Sequence, residues 1–291
     1  MYNKIMELNI IFLRSEISSS NPFTDLQKNE FLAGLKSLGN ITLSKNGKVM
    51  FFIESGGTEE LFRRIYKDYK EPYLLIATEA NNSLPAALEI ASFLRKNNLS
   101  YQIIHDKLSG LPSALLNNLS PKEVTLEKLN RHNKLLEGER LGVIGMPSDW
   151  LISSDVNYVK AKEVFGVDLI NIPFDEFYQE ILNHHSYAVD MKELQDHINA
   201  TIKQKDIDEA LNIYAAIKLL IDKYKLNGVT VRCFDLLGTV KSTSCLALAL
   251  LNKEGITATC EGDIPAMLTM HLIMKMFHQS SFQANPSYIN E

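Results

Sequence analysis

The chain has 291 residues, 45% of them hydrophobic, enough to bury a large core and to form two domains of ordinary size. Its formal net charge is −5 with a pI near 5.9, and no Lys/Arg cluster runs beyond a few residues, which excludes a nucleic-acid surface. The apolar run at 8–13 is too short for a signal segment or a membrane span.

That run reads as a buried first strand, over 9–14. Further strands are predicted over 49–53, 73–78 and 101–104, with helices over 24–37, 58–68 and 84–97. The third helix has Asn82 or Ser83 as its expected cap, Pro85 in its first turn, and Ala87, Leu88, Ala91 and Leu94 along one face. A polar helix over 121–136 leads to the charged break Glu137-Gly138-Glu139-Arg140. The pattern then restarts with a strand over 140–145, a helix over 155–165 and a strand over 168–172. Helices over 192–204 and 206–225, a strand over 228–233, a helix over 242–254, a strand over 256–260 and a helix over 264–277 complete it. Short apolar runs alternating with helical patterns predict an α/β protein of two Rossmann-like, doubly wound parallel-sheet domains, 1–138 and 139–291. In such folds ligands gather at the carboxyl ends of the strands.

One motif stands at such an end. Cys260-Glu261-Gly262-Asp263-Ile264-Pro265 puts two carboxylates one residue apart between a strand and a helix. The pair suits a hard divalent cation or a proton-transfer site. Asp263 before Ile264-Pro265 is equally a good helix N-cap, and both readings stand at this point. Ser55-Gly56-Gly57-Thr58 follows a strand and precedes a helix, where glycines permit a tight turn and free amides can hold an anion; many α/β turns look the same. Gly238-Thr239-Val240-Lys241-Ser242-Thr243 lacks the glycine that a P-loop needs before its lysine, and reads as helix entry with Ser242 or Thr243 as the cap. His184-His185 has no metal spacing. Three widely spaced cysteines argue against a disulfide framework and zinc and for a reducing cytoplasm, with Cys233 and Cys260 as small buried residues.

Residues 139–291 resemble the second domain of the fucose isomerase/arabinose isomerase superfamily of sugar isomerases. The similar stretches are Ile144-Gly145-Met146-Pro147-Ser148-Asp149-Trp150-Leu151, Thr230-Val231-Arg232-Cys233-Phe234, Leu250-Leu251-Asn252-Lys253-Glu254-Gly255-Ile256, and Cys260-Glu261-Gly262-Asp263 through Leu268-Thr269-Met270. The tail Asn285-Pro286-Ser287 fits as well. In the first domain, Ser55-Gly56-Gly57-Thr58-Glu59 and the segment from Asn82 to Glu89 are similar to family segments. The resemblance implies metal-dependent aldose–ketose isomerisation of a free sugar, commonly with manganese. The metal acidifies a carbon-bound proton that a carboxylate base moves through an enediol. It implies Asp263 and then Glu261 as metal ligands, and Glu261 and Asp235 as the acid–base residues. It also implies a homo-oligomer, a trimer or hexamer, in the cytoplasm.

Members of the superfamily continue into a largely β domain that supplies a histidine ligand. His271 and His278 follow the motif on its helix and do not replace that ligand, so this chain is expected to hold an incomplete site. Met267, Met270, Met274 and Met276 would contribute to apolar surface meant for that domain if their helix lies at that edge. The rival readings are a non-catalytic sugar-binding or regulatory protein of two α/β lobes, and a degenerate relative with no ligand.

Overall fold

The computed structural model of the chain describes residues 6–18, 22–38, 41–117, 136–185 and 202–289. The helices expected over 121–136 and 192–204 lie almost wholly outside them. The chain forms two compact units, the first of Met1–Lys128, Asp149–Ser153 and Ala284–Glu291, the second of Leu129–Ser148 and Ser154–Gln283. Each is an open parallel sheet with helices on both faces. Among the described residues no helix is long and apolar enough to cross a membrane.

The first unit runs β1 (Met6–Leu13), α1 (Pro22–Ser37), β2 (Ile41–Leu43), β3 (Lys48–Ile53), α2 (Glu59–Ile65), β4 (Tyr73–Ala77), α3 (Ser83–Lys96), β5 (Tyr101–His105) and α4 (Leu111–Asn117). Its strands pair in parallel in the order β2-β1-β3-β4-β5. Helices cover both faces, so the central strands are apolar on both sides rather than alternating. Phe51, Ile53, Leu75 and Ala77 pack under α2 and α3 with Phe62, Leu84, Ile90 and Leu94. Met50, Phe52, Leu74 and Ile76 point the other way, against Phe31 and Leu35 of α1 and Leu111 and Leu115 of α4. Burying each such side chain contributes about 1.5–3 kcal/mol.

The second unit runs β6 (Arg140–Ile144), α5 (Tyr158–Phe165), β7 (Asp168–Ile172), α6 (Phe174–Leu182), α7 (Gln204–Tyr224), β8 (Gly228–Val231), α8 (Asp235–Thr239), α9 (Cys245–Lys253), β9 (Thr257–Cys260) and α10 (Ile264–Phe277). Its strand order is β7-β6-β8-β9, again all parallel. Ile144, Ile172, Val229 and Val231 meet α6, α7 and α9 on one face. On the other, Leu141, Val143 and Leu169 meet Ala161 of α5 and Ile264, Met267 and Leu268 of α10. Met267 and Met270 are core residues and add nothing to an exposed apolar surface, whereas Met276 is 52% exposed.

The order of strands reverses between β1 and β3 in the first unit and between β6 and β8 in the second. At such a switch point consecutive crossovers leave to opposite faces, and a crevice opens at the carboxyl edge. In the second unit the strand ends are level there: Ile144 pairs with both Ile172 and Val231, and Val231 with Cys260.

Candidate functional site

Three loops meet at the carboxyl edge of the second unit's sheet, after β6, β8 and β9. Gly145 and Met146 after β6, and Glu261 and Gly262 after β9, form two consecutive left-handed pairs, with φ of 83°, 66°, 68° and 72°. Left-handed backbone is easy for glycine and costs a Met or a Glu about 1–2 kcal/mol. A Cβ on Gly262 would lie 2.3 Å from the Met146 carbonyl oxygen, so the two loops touch backbone to backbone and only glycine fits. Hydrogen bonds tie them further. The Ser148 N–H donates to the Glu261 carbonyl at 2.8 Å, the Gly262 N–H to Val231 at 3.0 Å, and the Arg232 N–H to Ile144 at 2.9 Å. The Arg232 guanidinium then reaches the Pro147 carbonyl at 2.8 Å and Asp235 Oδ2 at 2.9 Å.

The carboxylates are differently placed in this frame. Asp263 Oδ1 accepts from the Ala266 N–H at 3.0 Å, capping α10, and from Ser154 Oγ at 3.3 Å. Its residue surface is half-buried, yet protein crowds the carboxyl itself. That burial pushes its pKa above the usual aspartate value, while the Ala266 and Ser154 hydrogen bonds pull the other way. A carboxyl held toward its neutral form is suited to proton transfer. Glu261 is half-buried, directly after β9. Asp235 is 40% exposed and paired with Arg232. Ser148, 2% exposed, has a buried hydroxyl with no hydrogen-bond partner among the described residues, which leaves a donor for a ligand.

Cys233 and Cys260, expected as independent buried thiols, are joined by a disulfide. The reason is register. Val231 and Cys260 are paired at the ends of neighbouring strands, and Cys233 lies two residues further on.

The first unit has its own polar edge, at the β1/β3 switch point. Arg14 bridges Glu54, 3% exposed, at 3.0 Å and Asp25 at 2.8 Å. The Ser15 N–H donates to Ser55 Oγ at 3.2 Å, Thr58 Oγ1 donates to the Ser55 carbonyl, and Asn81 Nδ2 donates to Gln27 at 2.9 Å. Gly57 is left-handed, and a Cβ there would come within 3.2 Å of the Ser15 side chain. The short α2 opens with Glu59 and Glu60, and two acids in a first turn disfavour an anion at the Ser55–Thr58 turn.

The chain matches no known family model and no curated protein. The resemblance to sugar isomerases therefore stands on the motifs alone.

The manganese ion that this resemblance implies needs about six oxygen-rich ligands in octahedral geometry. Among the described residues no three His, Cys, Asp or Glu side chains group so as to hold a metal ion. Asp235 is committed to Arg232, and one oxygen of Asp263 to the helix cap. Glu261 and Asp263 alone do not amount to a coordination shell. What reading the sequence missed is the supporting cast, Arg232, Ser148 and Ser154 in one unit and Arg14 with Glu54 in the other. The spacing of the glycines at 145 and 262 was the available signal, since two tight turns after parallel strands bring loops together.

Proposed function

We propose that the carboxyl edge of the second unit's sheet binds a free sugar, and that its chemistry is the proton transfer of an aldose–ketose isomerase. The observation that supports this most is the convergence of Ser148, Arg232, Glu261 and Asp263 on loops fixed at a switch point. Hydroxyl groups of a sugar match the unpartnered Ser148 hydroxyl and the carboxylates as donors and acceptors. Glu261 is assigned as the base that takes the carbon-bound proton. Asp263, kept toward its neutral form by burial, is assigned to protonate or hold the neighbouring oxygen. Asp235 acts through Arg232, whose guanidinium it orients. The manganese ion implied by the resemblance would draw on Glu261 and Asp263, which supply only part of a coordination shell. The reading extends to a cytoplasmic homo-oligomer, a trimer or hexamer.

A binding protein without turnover is the second reading. It is favoured by the occupation of Asp235 in an ion pair and of Asp263 in a helix cap. Calorimetry with a panel of free aldoses and ketoses, with and without Mn²⁺, separates these. Asp263→Asn keeps the cap acceptor but removes the charge, and is expected to weaken sugar binding by about tenfold, which is about 1.4 kcal/mol. Incubation in deuterated water with Mn²⁺ is expected to place deuterium on the sugar carbon next to the carbonyl, because an enediol exchanges its proton. Saturable binding without deuterium uptake would leave the binding reading. No sugar bound under either condition would remove both.

A further inference from the structure

The disulfide between Cys233 and Cys260 spans 27 residues of sequence, with Cα atoms 6.2 Å apart, and lies at the carboxyl ends of β8 and β9, against the core of the second unit. Arg232 precedes Cys233 and Asp235 follows it. Glu261 and Asp263 stand one and three residues after Cys260. The β8–β9 ladder ends at the Val231–Cys260 pair. Beyond it, the Gly262 N–H donates to the Val231 carbonyl, and the two sulfurs join the loops covalently. The sulfur bond thus links the turn that carries Arg232 and Asp235 covalently to the left-handed Glu261–Gly262 turn. A left-handed glutamate persists only where its surroundings hold it.

We propose that the Cys233–Cys260 bond is a redox switch on this crevice: formed, it fixes the Glu261–Asp263 turn against the Arg232–Asp235 turn, and reduced, it releases that turn. The consequence for sugar binding rests on the reading above; the consequence for the loops does not. A dithiol is the reductant. Its thiolate attacks Cys260 Sγ, since Cys260 is half-buried and Cys233 is 3% exposed. The bond between the two cysteine sulfurs breaks, and Cys233 leaves as a thiolate that takes a proton from water. The second thiol of the reductant then displaces Cys260 from the mixed disulfide. Two electrons and two protons pass to the protein, and the reductant ends as a disulfide; a disulfide oxidant runs the sequence backwards. Cys245, exposed and free, is a thiol in both states and serves as an internal reference.

The test uses the wild-type chain, air-oxidised or treated with excess dithiothreitol under native conditions. Alkylation read by mass is expected to rise from one adduct to three on reduction, from the single free cysteine to all three. Hydrogen exchange is expected to quicken by about tenfold at the amides of Ser148, Gly262 and Asp263, while those of β6 and α7 stay unchanged. Sugar affinity should fall in parallel. Three adducts in the oxidised protein, a bond that yields only in denaturant, or reduction without faster exchange at these amides would each overturn the switch. Faster exchange with no sugar bound in either state would uphold the switch and remove the sugar-binding reading instead.

Discussion

Asp263 holds two roles whose energies oppose each other. As the cap of α10 it satisfies the Ala266 N–H, and losing such an acceptor costs about 1 kcal/mol. As a carboxylate it is crowded by protein, and burial raises its pKa despite its two hydrogen bonds. A raised carboxyl pKa means that the folded chain keeps this proton at a pH where the unfolded chain has lost it. The contribution to stability is therefore full below the ordinary aspartate value and is lost as pH rises through the folded one. Asparagine keeps the acceptor and discards the charge. In urea unfolding at pH 7, Asp263→Ala is expected to lose about 1 kcal/mol, while Asp263→Asn equals or exceeds the wild type. The gap between Asn and Asp should close as pH falls below about 4. An asparagine variant as unstable as the alanine one would mean that the charge has a compensating partner, and the assignment of a proton-holding role would fail with it. A site residue that lowers stability relative to its neutral isostere is what a functional constraint looks like in energy terms.

At the scale of elements, α10 carries the site on its first turn and is pinned at the opposite edge of the sheet by His271. This side chain is 2% exposed. Its Nε2 lies 3.0 Å from Glu139 Oε2, just before β6, and its Nδ1 lies 2.8 Å from Thr257 Oγ1, at the start of β9. A carboxylate only accepts, so Nε2 carries the proton and Nδ1 accepts from the threonine hydroxyl in the neutral ring. Burial lowers the His271 pKa, and Glu139 only partly offsets it. For Glu139 burial works upward, but the Lys275 and His271 hydrogen bonds outweigh it and hold the carboxyl below its usual range. Both groups are depressed, so both contributions are present at neutral pH and lost on acidification, His271 first, below about 6.5. Unfolding free energy is expected to fall by about 1 kcal/mol between pH 7.5 and 5.5, with faster hydrogen exchange in α10, and His271→Gln should flatten that slope. An unchanged slope in the variant would move the effect to another histidine. This latch was hidden in the sequence, because its three members are separated by up to 132 residues. The alternation of strands and helices was readable because the strands are short apolar runs buried on both faces. By contrast β2, α4 and α8, at 3, 7 and 5 residues, are too short to show a period. The left-handed Lys241 delays α9 to Cys245, past the Ser242 and Thr243 expected as its cap. Likewise Asn82 precedes α3 in a left-handed conformation and makes no side-chain cap. At the site, the acidic motif and the cap were legible because both are local. The Arg232–Pro147 bond, the Ser154–Asp263 bond and the cysteine pairing depend on which strands neighbour each other, which no local pattern encodes.

For the molecule as a whole, each sheet is closed over by its own helices, which gives each unit its own apolar core. Phe62 illustrates the first unit: fully buried, it meets Phe51 and Tyr73 edge-on, with ring centroids 5.0 and 5.8 Å away. Phe177 does the same in the second, against Phe174 at 6.0 Å and beneath Ile213 and Ile217 of α7. Truncating either to alanine removes buried area and leaves a cavity, at a cost of about 3–5 kcal/mol. If folding energy is stored unit by unit, that cost is local. Native-state hydrogen exchange on Phe62→Ala should then show protection lost in β1, β3 and β4 but kept in β6 and β8, and Phe177→Ala should show the converse. The distribution has a functional consequence. The crevice loops of the second unit are framed by β6, β8 and β9, so Phe177→Ala should loosen them and weaken a ligand held there, while Phe62→Ala should leave them ordered. Protection lost evenly across both sheets in either variant would show one cooperative unit instead. The crevice would then take its rigidity from the whole chain, and a substitution in either core would be felt at Glu261 and Asp263 alike.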